Sequence, residues 1–124
     1  MKILLVENNS GMRRLLKSML EEIAEEIYES PGGPEAIELY QAVRPDWVVM
    51  DVYRKPANGL AAAAAIKNSD PDAKIVFISN YTDPRTRQWA QNAGGAAFIG
   101  KDDLLSLVEF LKKEKETCGG NYDE

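Results

Sequence analysis

Apolar residues fall along this chain in two alternating patterns. Short unbroken runs occur at Lys2-Ile3-Leu4-Leu5-Val6, Asp46-Trp47-Val48-Val49-Met50-Asp51, Lys74-Ile75-Val76-Phe77-Ile78 and Ala96-Ala97-Phe98-Ile99, with a weaker one at Ile27-Tyr28-Glu29. Runs of this length, bounded by turn residues, read as strands buried on both faces of a parallel sheet. Between them the apolar positions recur at helical spacing. Met12, Leu15, Leu16, Met19, Leu20 and Ile23 predict a helix from Ser10 to about Ala24, and Ala36, Ile37, Leu39, Tyr40 and Val43 predict one from about Glu35 to Val43. Five alanines, Ala61 to Ala65, followed by Ile66-Lys67, predict a third helix, with Asn58-Gly59 read as its cap. Arg85 to Ala93 predicts a short polar fourth, entered through Asp83-Pro84 and stopped by Gly94-Gly95. Leu104, Leu105, Leu107, Val108, Phe110 and Leu111 predict a fifth, capped by Asp102 or Asp103.

Strand and helix alternate five times, which is the order of an α/β protein with a central parallel sheet joined by right-handed crossovers. Polar groups close the apolar runs: Glu7-Asn8 after the first, Asp51 on the third, Ser79-Asn80 after the fourth and Lys101 after the fifth. Ligands of such sheets bind beyond the carboxyl ends of the strands, where strand order reverses. These groups are therefore expected in one pocket. Asp51 is the residue expected to carry the chemistry, because a charge ending a strand buried on both faces needs a reason.

Composition narrows the chemistry. A chain of 124 residues with 44% hydrophobic and 28% charged residues is one domain able to bury its own core. The predicted domain spans residues 1–117, and 118–124 reads as a polar, frayed tail. No run is long enough for a membrane span and no signal peptide is apparent. The formal charge of −5 disfavours direct nucleic-acid binding. Cys118 is the single cysteine, as expected of a reducing, cytoplasmic compartment. Histidine is absent, which excludes Ser-His-Asp and Cys-His catalysis and histidine-ligated metals, and leaves any phosphohistidine to a partner. The charges of the first helix run against its dipole, with Arg13, Arg14 and Lys17 early and Glu21, Glu22, Glu25 and Glu26 late. They read as a solvated face with compensating pairs, or as a docking surface beside the first loop.

Taken together, Val-Val-Met-Asp51, Phe-Ile-Ser79-Asn, Phe98-Ile-Gly-Lys101 and the Gly59-Leu60 pair resemble the response-regulator receiver domain of two-component signalling, over nearly the whole chain. The resemblance implies a five-stranded parallel sheet sandwiched by five helices in the flavodoxin-like strand order 2-1-3-4-5. It implies that Asp51 accepts a phosphoryl group from a histidine kinase or a histidine phosphotransfer protein, that Lys101 pairs with Asp51 and then with the phosphate, and that Ser79 hydrogen-bonds a phosphate oxygen. It implies Mg²⁺ at Glu7, Asn8, Asp51 and the backbone carbonyl of Tyr53. Phe98 takes the place of the family's switch aromatic, which responds to Ser79 and alters the face formed by the fourth helix, fifth strand and fifth helix toward a downstream protein effector.

The chain departs from the family pattern in two places. Asn8 stands where the family has a second acidic residue that ligates the metal, so Mg²⁺ binding is expected to weaken. The family's Met-Pro pair falls on Arg54-Lys55, with proline one residue later at Pro56, and the bulky Tyr53 and Tyr81 together with Lys55 are expected to alter access of water to an acyl phosphate. A second function class follows from these departures: a pseudo-receiver that binds its partner without phosphorylation. A flavin-binding flavodoxin fits poorly because Glu7 sits where a phosphate-cradling loop avoids negative charge. A haloacid-dehalogenase-like phosphatase fits poorly because Tyr53 stands where a second acid belongs.

Overall fold

The structure, a computed structural model, describes residues 1–52 and 57–120 of the chain, with side chains described for 1–52 and 61–116. Strands β1 (Lys2–Val6), β2 (Glu26–Ser30), β3 (Trp47–Val52), β4 (Ile75–Ser79) and β5 (Ala97–Gly100) alternate with helices α1 (Ser10–Leu20), α2 (Gly33–Val43), α3 (Ala57–Ser69), α4 (Pro84–Asn92) and α5 (Leu104–Gly120). All pairings are parallel and the sheet order is β2-β1-β3-β4-β5, the expected flavodoxin-like arrangement.

The strand pleat divides the core into two layers. Leu4, Val6, Val48, Met50, Ile75 and Phe77 face one way and pack with Ala36 and Tyr40 of α2 and Ala62, Ala63 and Ile66 of α3. Ile3, Leu5, Trp47, Val49, Val76 and Ile78 face the other way and pack with Leu16 and Leu20 of α1 and Leu107 and Leu111 of α5. Every residue of β3 is buried, which explains the absence of hydrophobic alternation in its sequence.

Several element ends differ from the sequence expectation. Helix α1 stops at Leu20, not near Ala24, because Ile23 and Ala24 N–H both turn back onto the Leu20 carbonyl to lead the chain into β2. Glu22, Glu25 and Glu26 therefore lie beyond the helix, and the opposition to its dipole largely disappears. Arg13 and Lys17 instead reach Glu29 of β2, at 3.4 and 3.3 Å. Helix α2 begins two residues early at Gly33, with Pro34 in its first turn, where the missing N–H is harmless. Helix α3 begins at Ala57, so Asn58-Gly59 lie inside its first turn instead of capping it. Helix α5 continues to Gly120, past Thr117, where fraying was expected. Asp103 precedes α5, and its carboxylate accepts from Ser106 Oγ at 2.7 Å.

The caps of α1 and α4 hold the two loops that matter most for the site. Asn9 Oδ1 accepts the Met12 N–H at 2.8 Å, and Asp83 accepts the Thr86 N–H at 3.2 Å with Pro84 following it. At the end of α4, Gly94 has φ +87°, a left-handed conformation that favours glycine.

Candidate functional site

The strand order places β1 and β3 side by side at the point where the connections reverse direction, and their carboxyl ends carry Glu7 and Asp51. Register fixes the rest. Asp51 lies opposite Ile78, Val52 opposite Ser79, and Ser79 opposite Gly100, so Ser79 and Lys101 arrive at the same rim from β4 and β5. The Lys101 N–H donates to the Ser79 carbonyl at 2.8 Å, extending the β4-β5 pairing by one step and aiming the lysine across the sheet end.

Lys101 Nζ sits 2.8 Å from Glu7 Oε1 and 2.8 Å from Asp51 Oδ1. All three side chains are buried, with the lysine 7% exposed and the two acids at 2% or less. The other Glu7 oxygen accepts the Asn9 N–H at 3.1 Å. Two carboxylates share one ammonium, leaving a net negative charge on three buried side chains. Burial pushes the Asp51 carboxyl up, Lys101 opposes this, and the Glu7 charge adds to it, for a resulting value of about 6. Burial alone would lower Lys101, yet hydrogen bonding to Asp51 and Glu7 holds it above its ordinary range. The ammonium is thus locked on, while Asp51 is less comfortable as an anion than an exposed aspartate.

Asp51 Oδ2 has no hydrogen-bond partner among the described residues, although it is fully shielded from solvent. Next to it lies a cavity of about 470 Å³, walled by Val6, Met50, Ile37 and the Pro31 to Pro34 turn, with Asn8 and Asp51 as its polar lining. An unpaired buried carboxylate oxygen is costly unless a cation or donor completes it. Asn8 and Asp51, the polar residues lining this cavity, carry the hard oxygen atoms that Mg²⁺ favours. Among the described residues no three Asp, Glu, Cys or His side chains cluster as a metal cage. Tyr53, Arg54, Lys55 and Pro56 lie outside the described residues, as do the carbonyl expected of Tyr53 and its effect on water access.

Ser79 is completely buried, and its hydroxyl donates to the Val52 carbonyl at 2.9 Å while accepting the Tyr81 N–H at 2.9 Å. The structure places it at the rim as expected, but with its proton engaged by backbone. Phe98 is half-buried at the edge of the α2-α3 layer. Tyr81 lies exposed on the loop after β4.

Two residues are absent from the sequence reading as site components. Arg13 donates to the Glu7 carbonyl at 2.7 Å while its guanidinium also meets Glu29, so α1 braces the loop that presents Glu7 and Asn8. Arg87 lies over the Phe98 ring, its guanidinium carbon 5.0 Å from the centroid, and donates through Nε to the Thr82 carbonyl at 2.9 Å. Each stands one helical turn past its loop, four residues beyond the cap at Asn9 or Asp83, a signal that periodicity alone does not distinguish from a solvated face.

A buried acid at the end of the third strand, a lysine from the fifth and a hydroxyl from the fourth thus meet at one rim of a 2-1-3-4-5 sheet. The sequence matches the response regulator receiver domain family over residues 3–112, and the chain belongs to that family. It is 34% identical over 100 residues to the chemotaxis protein CheY of Halobacterium salinarum, covering 81% of this chain and 83% of that protein. It is also 34% identical over 114 residues to CheY of Thermotoga maritima, covering 90% and 95%. Among solved structures, the Vibrio cholerae chemotaxis protein CheY4 superposes with a TM-score of 0.77 at 21% identity, covering 87% of this chain and 95% of that one. The chain is thus a CheY-like receiver domain of two-component signalling. Among the described residues no helix is long and apolar enough to cross a membrane.

Proposed function

We propose that Asp51 is the phosphoryl acceptor of this receiver, drawing on a phosphohistidine that a histidine kinase or histidine phosphotransfer protein supplies. The observation that carries the reading is the asymmetry of the Asp51 carboxylate: Oδ1 is held by Lys101 at 2.8 Å, while Oδ2 is buried with no hydrogen-bond partner among the described residues, in a side chain that borders the cavity. In the transfer, an Asp51 oxygen forms the new bond to phosphorus as the bond from phosphorus to the donor nitrogen breaks, giving an acyl phosphate on Asp51. Lys101, paired with Asp51 at 2.8 Å, would meet the charge that develops on the phosphoryl oxygens with little reorganisation. Ser79 supplies a hydrogen bond to a phosphoryl oxygen once its hydroxyl leaves the Val52 carbonyl.

Mg²⁺, held by Asn8, Asp51 and the Tyr53 carbonyl with Glu7 alongside, would neutralise the phosphoryl oxygens when bound. Its affinity is reduced because Asn8 offers a dipole in place of a charge. Phe98 and the face of α4, β5 and α5 transmit the modification to a protein effector.

The test is direct. The protein is incubated with Mg²⁺ and a small-molecule phosphodonor, and intact mass is compared with that of Asp51→Ala. One added phosphoryl group in the wild type and none in the variant is the expected result. No addition at saturating Mg²⁺ would overturn the reading in favour of a phosphorylation-independent interaction module.

A further inference from the structure

A chain of contacts leads from Ser79 to Phe98 through one side chain. Ser79 Oγ accepts the Tyr81 N–H at 2.9 Å, so a χ1 rotation that moves Oγ away from the Val52 carbonyl carries Tyr81 with it or takes the acceptor from that N–H. The next residue, Thr82, is held from the other side. Its carbonyl accepts from Arg87 Nε at 2.9 Å, and its methyl approaches Gly100, where an added Cβ would come within 3.0 Å of Thr82 Cγ2. Arg87 projects from α4 and lays its guanidinium over the Phe98 ring on β5. The planar guanidinium divides the two contacts between Nε and its face, whereas a lysine would have to make both with one compact ammonium. The same side chain therefore touches the loop that is hydrogen-bonded to Ser79 and the aromatic ring of the neighbouring strand.

We propose that Arg87 is a positioning residue that couples the Phe98 ring to the hydrogen-bond state of Ser79. While Ser79 bonds Val52, Thr82 stays where Arg87 can reach its carbonyl, and the guanidinium covers Phe98. When the Ser79 hydroxyl turns away, Thr82 shifts, Arg87 loses its acceptor or follows it, and the ring is uncovered. The trigger by phosphoryl transfer rests on the assignment of Asp51 given above; the coupling itself does not.

A double-mutant cycle read by fluorine NMR separates this from a purely structural role. The protein has three phenylalanines, so labelling with para-fluorophenylalanine gives three resonances, and Phe98→Tyr assigns one of them. Ser79→Ala removes the link without phosphorylation. It is expected to shift the Phe98 resonance in the wild-type background and to shift it by less than about half as much in Arg87→Ala and Arg87→Lys. The Phe77 and Phe110 resonances report that each variant is folded. Equal shifts in all backgrounds, or no shift in any, would overturn the proposal, since an arginine that merely covers the ring would move the resonance without changing its response to Ser79. A full response in Arg87→Lys would overturn the guanidinium as the coupling group. In a second arm, phosphodonor and Mg²⁺ should displace the Phe98 resonance in the wild type and fail to do so in Arg87→Ala at equal phosphoprotein by mass. Absence of added mass would reject Asp51 as acceptor and leave the cycle to decide on Arg87.

Discussion

Asn8 occupies an exposed position immediately after the buried Glu7, at the mouth of the cavity beside Asp51. A carboxylate there would face a divalent ion at short range, and at an effective dielectric near 20 a unit charge at 4 Å contributes roughly 4 kcal/mol per unit of partner charge before desolvation. Even after most of that is offset, Asn8→Asp is expected to tighten Mg²⁺ binding by about tenfold or more, as measured by titration calorimetry. An unchanged dissociation constant would show that position 8 does not face the ion. The placement of Glu7, Asp51, Ser79 and Lys101 at one rim was legible in the sequence, because each follows an apolar run and parallel strands end together. Which oxygen meets which donor was not. Nothing in the linear pattern says that Glu7 shares Lys101 with Asp51, or that the Ser79 hydroxyl is turned to Val52, since these depend on side-chain rotation against a neighbouring strand.

The elements read most clearly where a turn residue met a change of period, as at Asp83-Pro84, and least clearly where amphipathic spacing ran past the true end. Ile23 continues the apolar stripe of α1 in sequence, yet in space it caps the layer from the turn after Leu20 and stays buried there. Gly94-Gly95 shows a similar limit. Both glycines read as a helix stop, but they serve different ends. Gly94 takes the left-handed conformation, whereas Gly95 provides clearance: an added Cβ would fall 2.6 Å from Phe77 Cδ2 and 3.1 Å from the Ala90 carbonyl. Phe77 is wholly buried and cannot withdraw without disturbing its own layer. Gly95→Ala is therefore expected to destabilise the fold by about 1–3 kcal/mol, the usual range for overpacking a tight core. Urea unfolding should show this as a lower midpoint with an unchanged slope. A neutral effect would mean that the α4-β5 turn is free to move away.

At the scale of the whole molecule, two apolar layers carry the stability, and a cluster of one lysine and two acids at the sheet end works against it. The Asp51 carboxyl moves from an ordinary 3.8 to about 6 on folding, chiefly through burial, so the folded protein holds this proton more tightly than the unfolded chain. Stability from this group is therefore highest below about pH 4 and falls as pH rises through about 6, where the folded form must finally give up the proton. A shift of about two units corresponds to roughly 3 kcal/mol as an upper bound. Asp51→Asn removes the titrating charge and leaves Lys101 paired one-to-one with Glu7. In metal-free buffer the variant is expected to be more stable than the wild type by about 2–3 kcal/mol at neutral pH, and the difference should shrink toward zero near pH 4. Paired urea titrations at the two pH values measure this, because the acid sensitivity of the carboxylates away from the Glu7-Asp51-Lys101 cluster is common to both proteins and cancels. A variant less stable than the wild type at neutral pH, or a gap independent of pH, would mean that Lys101 fully compensates Asp51. The phosphoacceptor assignment would then lose one of its physical supports, a carboxylate kept under electrostatic tension until a cation or phosphoryl group arrives.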